Sequence, residues 1–430
     1  MNDLRFDVVV VGAGPAGLAA AASAAQGGAT VGLLDDNPAP GGQIWRGGNS
    51  QTVPHQAQRW LAQIETSTIT LLNQARVISA LPAQTLLIEQ PAGARRVRFQ
   101  SLILATGARE RFLPFPGWTL PGVMGAGGLQ ALVKGGFPIA GKRVVVAGSG
   151  PLLPAVATFL RSKGAQVVCV VEQAPWHKLG NFSLHLLGHL KQLRQAGELG
   201  WKLRGVPIYT GSWITQAHGT EQLVAVTIHH ATRQIEVACD YLACGFGLWP
   251  NIELAIALGC EIRDHAVSVN EWQQTSLAHI YCAGEATGIG GLDLALLEGQ
   301  IAGCAATGRQ EAAHTFLKAR TQARHFARLL EDSFQLRAEL KALPNSETIV
   351  CRCEDVSYQE LQEHTGWRSA KLQTRCGMGP CQGRVCGPAT AFLFGWTQDS
   401  VRPPITVGRV ASLIQAIEDP DYNQAEESIL

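Results

Sequence analysis

"VVVVGAGPAGLAA", residues 8–20, decides how the rest of the chain is read. The apolar run over residues 6–11 stops at Gly12, and Gly14 and Gly17 follow where a helix is expected from about Pro15. A short run of this kind, closed by glycines, predicts a buried parallel strand. Gly12 permits the tight turn, Gly14 leaves room for a pyrophosphate against the backbone, and Gly17 lets helix and strand pack closely. The helix start at Pro15 and Ala16 offers unpaired N–H groups and partial positive charge to phosphate oxygens. Asp35 lies 23 residues beyond Gly12, at the end of the second strand "TVGLLD". A carboxylate there accepts from a ribose 2′-hydroxyl. Strand, glycines, helix, strand and acid in register predict a dinucleotide-binding α/β unit.

The pattern restarts at "KRVVVAGSGPLLPAVATFLRSKGAQVVCVVEQ", residues 142–173, which implies a second unit of the same type. Here Gly148 and Gly150 are followed by Leu153 and Pro154, and the acid is Glu172. Leucine at the third glycine position is expected to force helix and strand apart and to crowd phosphates. Two readings follow, an NAD(P)H site or a retained scaffold that binds nothing or binds a different nucleotide. No C-x-x-C lies beside the flavin-type motifs described below, so dithiol chemistry is unsupported.

The chain has 430 residues, 46% hydrophobic and 16% charged, enough for two or three domains. Its net charge is +1 with no basic tract, so nothing in the overall charge points to nucleic acid or to an anionic membrane surface. The N-terminus runs straight into a strand, and no apolar run reaches the roughly 18–20 residues of a spanning helix. A cytoplasmic protein is expected, with peripheral attachment at the inner membrane as an option. In that compartment thiols stay reduced.

Five cysteines fall within 36 residues: Cys351 and Cys353 in "CRC", then Cys376, Cys381 and Cys386 in "RCGMGPCQGRVC". A plain iron–sulfur centre needs thiolate ligands, four of them. Zinc is the alternative, but its usual C-x2–4-C spacing fits C-x-C poorly. Gly377, Gly379, Gly383 and Gly387 would let backbone N–H groups turn toward cluster sulfurs. The other six cysteines sit in apolar surroundings and read as inert. His185 and His189 are helix neighbours whose pairing is read as incidental, and His229 and His230 alternate across a strand. Asp293 and Glu298 are expected to be structural.

"LDDNPAPGGQ", "LILATGA" and "TSLAHIYCAGEATG" resemble, in order, three flavin motifs of the disulfide-reductase-like flavoproteins. That resemblance implies FAD, held by Gly42 and Gln43, by Ala105, Thr106 and Gly107, and by Gly284 and Glu285. Glu285 stands where the superfamily usually has Asp. Val77, in "NQARVISA", falls where the superfamily contacts adenine through its backbone. The cysteine region resembles the bacterioferritin-associated-ferredoxin (BFD)-like domain, with C-x-C, about thirty residues, and then a close pair. The 27 residues between Cys353 and Cys381 fit that gap, which implies a [2Fe–2S] cluster on Cys351, Cys353, Cys381 and Cys386. Cys376 is then a bystander; the rival set puts it in place of Cys386.

Together with "RERFLPFPGWTLPGVMGAGGLQAL", "GFGLWPNIELA" and "AGEATGIGGLDLALLEGQIAG", these segments resemble the FAD/[2Fe–2S] subunit of heteromeric dye-linked dehydrogenases that oxidise opines and amino acids such as D-hydroxyproline. Leu153 belongs to that pattern. The resemblance implies an α/β fold with two Rossmann-like nucleotide-binding domains plus a small helical C-terminal BFD-like domain. It also implies a partner β subunit with its own FAD that oxidises the amine, FMN at a subunit interface in some assemblies, a dye or quinone-type acceptor, and a small ferredoxin-like γ subunit. Expected boundaries are 1–115 with 236–305 for the FAD domain, 116–235 for the second domain, 306–345 for a helical linker, 346–400 for the cluster domain and 401–430 for a tail.

Overall fold

The computed structural model describes residues 3–45, 54–65, 68–398 and 401–417. They group into two compact units. One holds the described residues up to 109, those from 250 to 327 and those from 401 to 417, and the other holds 110–249 and 328–398.

The first unit is built on a sheet ordered Ile69–Asn73, Val31–Asp35, Leu4–Val11, Gly93–Leu104, Thr85–Gln90, Arg76–Leu81. The first four strands are parallel, with Val8 opposite Val31 and Val10 opposite Leu33. Strand Ile280–Cys282 joins the far end of Gly93–Leu104. Val8, Val9 and Val10 are buried on both faces, as a covered parallel sheet requires. The helix Pro15–Ala25 covers one face with alanine, and the helix Gly291–Ala306 lies tightly against it. Small residues allow that contact. A Cβ added at Gly299 would stand 2.2 Å from the Ala16 carbonyl oxygen, and one at Gly303 2.2 Å from that of Ala20.

The second unit repeats the theme. Its parallel sheet runs Ile208–Thr210, Gln166–Glu172, Arg143–Gly148, Tyr241–Gly245, Val123–Gly125. An antiparallel layer, Ser212–Gly219, Leu223–His230 and Arg233–Ala238, lies beside it. The cysteine region forms a short hairpin, Ile349–Cys351 and Val356–Ser357, and three helices, Tyr358–Gln362, Trp367–Thr374 and Cys386–Phe394. Ser357 and Glu360 start the first of these with a reciprocal capping box.

The boundaries differ from those expected. Tyr241–Gly245 pairs with Arg143–Gly148, so residues 236–249 belong to the second unit and not to the flavin unit. The cysteine region clusters with the second unit. Trp118 donates its indole N–H to the Ile349 carbonyl at 2.6 Å, and Val385 and Phe392 pack on the core that holds Trp118 and Leu340. The expected linker is one 25-residue helix, Gln310–Phe334, followed by a 3-10 turn at Ala338–Ala342. In the expected tail, the Ile405 N–H donates to the Ile78 carbonyl and Ile405 is buried in the first unit's core.

Leu153 does not wedge helix and strand apart. It is fully buried beside Val144, Val146 and Ala243, and Gly245 makes the room: a Cβ there would lie 3.4 Å from the leucine Cδ2.

Candidate functional site

The glycines of the first turn meet the structural demands predicted for them. Gly12 has φ +105°, and a Cβ on it would stand 2.2 Å from the Ala105 carbonyl oxygen. A Cβ on Gly17 would stand 1.7 Å from the Gly12 carbonyl oxygen. Gly14 is different: its nearest neighbour beyond the adjoining chain is the Gly42 Cα, at 3.9 Å. Its surface is open, as the approach of a pyrophosphate requires. The Gly41 N–H reaches the Ala13 carbonyl at 2.8 Å and folds the Pro-Gly-Gly loop over the turn. Gln43 is exposed on that loop.

Asp35 is buried, accepting from the Ala13 N–H at 2.6 Å and from the Asn37 backbone and amide N–H groups at 2.8 and 2.7 Å. Asn37 thus orients the expected ribose acid, a role its loop position did not advertise. Val77 lies on the strand Arg76–Leu81, where its carbonyl accepts from the Thr406 hydroxyl at 3.3 Å.

Ala105, Thr106 and Gly107 follow the strand Gly93–Leu104. Asn251 braces them, its amide donating to the Thr106 carbonyl at 2.9 Å and its N–H to the Gly107 carbonyl at 2.9 Å. The Thr106 hydroxyl donates to the Asn251 carbonyl at 2.6 Å, and Arg109 joins Asn251 to Glu253. Asn251 lies 144 residues from Gly107, so no local sequence signal could have found this brace.

Gly284, at φ +77°, lies against Ala16; an added Cβ would stand 2.7 Å from the alanine Cβ. The Glu285 Oε1 accepts from the Gly291 N–H at 2.8 Å, at the start of the long helix. Its Oε2 is buried with no protein partner, and burial raises the carboxyl above its ordinary range. An orphaned acceptor here fits a ligand that brings hydroxyl donors, as the ribityl chain of a flavin does. Glu298 is structural, as expected. It accepts from the Gly284 N–H at 3.0 Å and the Thr287 hydroxyl at 2.8 Å, and pairs with Arg324 at 2.8 Å. Glu298→Ala should therefore cost about 3 kcal/mol in urea unfolding, at the low end for a broken buried pair because Arg324 keeps 33% of its surface in water.

The second unit carries the same turn with a different fate. The Ser149 hydroxyl donates to the Phe334 carbonyl at 2.8 Å. The fully buried Gln173 amide donates to Ser149 Oγ at 2.8 Å and the Gln335 carbonyl at 3.2 Å, and its oxygen accepts from the Arg337 N–H at 3.1 Å. Glu172, pushed up to about 7 by burial, takes the Gly150 and Ala174 N–H groups, both at 2.8 Å. The chain's own carbonyls are thus tied down over the turn, and Glu172 holds the second glycine's N–H.

In the cysteine region the thiols of Cys351, Cys376 and Cys386 all lie within 4.8 Å of one another, and all three residues are buried. Cys381 touches Cys386 and Cys353, so the five sulfurs form one connected group. Thiol donation from Cys376 and Cys386, joined by the Gly377 and Glu354 N–H groups, holds Cys351 down to about 2. Donation from Cys386, with N–H groups of Val385 and Gly383, holds Cys381 down to about 5. The Cys376 thiol, kept as donor to Cys351, is pushed up to about 12. Cys386 opens the helix Cys386–Phe394, whose N-terminus favours negative charge. An all-sulfur donor set with inward backbone N–H groups fits an iron–sulfur centre.

Placement within the group differs in part from expectation. Cys376, expected as a bystander, is inside it, turned in by Arg375 at φ +65° and Gly377 at φ +80°. Cys353, expected as a ligand, is exposed at the margin with its thiol on Cys381. Gly379 lets the two arms meet, since a Cβ there would stand 2.2 Å from that of Cys353. The remaining six cysteines are buried, and burial raises all their thiols. His185 bonds the Asn181 carbonyl at 2.9 Å, His229 stacks on Trp213, and His230 meets Ser212 at 2.7 Å.

Residues 6–314 match the model of the pyridine nucleotide-disulphide oxidoreductase family. The chain is 33% identical to hydrogen cyanide synthase subunit HcnB of Pseudomonas aeruginosa, over 92% of each protein. It is 32% identical to an opine oxidase subunit of Rhizobium meliloti, over 95% of this chain and 99% of that one. Among solved structures, L-proline dehydrogenase from P. horikoshii superposes with a TM-score of 0.68 at 20% identity, over 96% of this chain and 80% of that one, which speaks for the fold alone. With its FAD-type cradle and its thiol group, the chain belongs to the pyridine nucleotide-disulphide oxidoreductase family, and within it to the group that contains HcnB and its opine oxidase counterpart.

Proposed function

We propose that this chain is the electron-transferring FAD/[2Fe–2S] subunit of a heteromeric dehydrogenase that oxidises a C–N bond of an amino acid, imino acid or opine. The observation that carries this reading is one polypeptide holding both a dinucleotide cradle, with Glu285 Oε2 left for a ligand, and a buried all-sulfur donor group. A flavin takes up an electron pair and an iron–sulfur cluster moves one electron at a time, so a chain holding both converts pairs to singles. Substrate oxidation is assigned to a partner subunit with its own FAD, since the relatives are themselves named as subunits. FMN at the subunit interface, a dye or quinone-type acceptor and a small ferredoxin-like subunit complete the proposed assembly, working from the cytoplasm.

The chain's own residues have separable tasks in this reading. Gly12, Gly14 and Gly17 with Pro15 and Ala16 hold the pyrophosphate, and Asp35 the ribose. Gly42 and Gln43 close the loop over the phosphates, and Val77 meets the adenine through its backbone. Ala105, Thr106 and Gly107 line the far side, and Gly284 and Glu285 take the ribityl hydroxyls. For the cluster we propose Cys351, Cys353, Cys381 and Cys386. Their sulfurs form an unbroken chain of contacts, Cys353 to Cys381 to Cys386 to Cys351. Purification with the native partners, metal and acid-labile sulfide analysis, and an opine and amino-acid substrate screen test the whole reading. A complex that turned over without iron would sink it.

Pyridine nucleotide has no part in this scheme. NADH mixed anaerobically with the flavin-loaded chain is expected to leave the flavin oxidised in stopped flow. Rapid bleaching would mean that the 334–337 segment yields the turn to a nucleotide.

A further inference from the structure

Two consecutive helices of the second unit, Trp176–Leu186 and Leu190–Lys202, are exposed in an unusual way. The second of them has no fully buried residue. Trp176 is 77% exposed, Leu190 76% and Trp201 72%; Leu184 and Leu187 are also well over half exposed. These are five of the fourteen large exposed apolar side chains among the described residues, and they fall within 26 positions. Their spacing is regular. Trp176 and Leu187 are 11 apart, as are Leu190 and Trp201, so each pair recurs after three helical turns near one face.

The charge of the same stretch is equally uneven. Residues 176–204 hold Lys178, Lys191, Arg194, Lys202 and Arg204 against Glu198 alone, a net +4. The whole chain carries +1, so everything else carries +1 − 4 = −3. Arg204 lies over the Trp201 ring at 5.5 Å, its charge beside the exposed indole. The hairpin is anchored from below. Lys178 donates to the Asp332 carbonyl at 3.3 Å, and Phe182 meets Phe334 edge-on at 5.4 Å between ring centres.

We propose that this hairpin is a docking surface for an anionic lipid bilayer, lying in the headgroup plane with Trp176, Leu187, Leu190 and Trp201 inserted. Exposed leucine and tryptophan interspersed with lysine and arginine is the composition of an interfacial amphipathic helix. A protein partner is the weaker fit, because protein interfaces are depleted in lysine at their centre. Spanning is not at issue: 13 residues of helix reach only about 20 Å, and no helix among the described residues is long and apolar enough to cross a bilayer. The surface lies in the same compact unit as the cysteine group. The inference is independent of the electron-transfer reading, because binding to lipid is measured without turnover.

The test is co-sedimentation of the purified full-length chain with vesicles of phosphatidylcholine, and of phosphatidylcholine mixed with phosphatidylglycerol. The chain is expected to sediment with the anionic vesicles, to remain in solution with the neutral ones, and to be released by salt. K191Q/K202Q should weaken the partition about 25-fold, at about fivefold per charge. L190S/W201S should abolish it without shifting the thermal midpoint, because both side chains are already in water. Equal binding to the two vesicle types, binding to neither, or variants that sediment like the parent chain would overturn the proposal. So would variants that keep vesicle binding but lose the dehydrogenase partner in co-purification, which would make the hairpin a protein interface.

Discussion

Serine in place of Cys351 is expected to leave the flavin bound and to empty the chain of iron and acid-labile sulfide. Cys351 is where the contacts converge: two thiols and two backbone N–H groups point at its sulfur and favour its ionised form. A hydroxyl at that position keeps its proton and offers a poor ligand to iron. Turnover of the whole complex with an artificial acceptor should fall by more than the roughly 10–100-fold that the loss of an outer-shell partner costs. Reduction of the flavins by substrate in a single turnover should persist. Cys376→Ser is the companion variant. It should keep iron and turnover, because Cys376 lies outside the proposed set although its sulfur touches that set. Full turnover in Cys351→Ser would remove the cluster from the electron path. Loss of iron in Cys376→Ser with retention in Cys353→Ser would exchange those two residues in the ligand set.

The second large effect separates folding from binding within one motif. Gly17→Ala puts a Cβ 1.7 Å from the Gly12 carbonyl oxygen, which is backbone and cannot swing away. The helix Pro15–Ala25 would have to lift off the strand, at a cost of about 3 kcal/mol, the upper end for overpacking because the clash is with backbone. Gly14→Ala meets nothing closer than 3.9 Å, and its φ of −75° suits alanine. That variant should unfold within about 1 kcal/mol of the parent chain, the usual cost of alanine in place of a better N-cap residue. Its methyl group would stand in the space a pyrophosphate uses, so FAD affinity should fall about 10–100-fold. Thermal melting of both variants without cofactor, with FAD titration of Gly14→Ala, gives the answer. Gly14→Ala with undiminished FAD affinity would mean that the dinucleotide does not cross the turn there.

Much of this was legible in the chain because it is local. The turn at Gly12–Gly17 announces its geometry through residues that are neighbours in sequence, and so do the repeat at Gly148 and the five clustered thiols. What was not legible depends on distant partners. Leu153 was expected to separate helix from strand, yet Gly245, 92 residues away, gives it space. The strand at 241–245 reads as one more apolar run and carries no mark of which parallel sheet it will join. The carbonyls of Phe334 and Gln335 over the second turn come from the end of a helix whose composition says only that it is a helix. The inward turn of Cys376 depends on a left-handed arginine, a conformation that spacing does not foretell.

Cys353 stands in water while Cys351, Cys376 and Cys386 do not. Dioxygen and chelators meet the accessible sulfur first, because reactivity of a thiol follows its exposure. Damage to the site would then begin at a single corner and travel inward along the row of sulfurs. The fraction of intact protein in any preparation would record how well air was kept from that corner, and a colourless sample would report its handling before it reported its genetics.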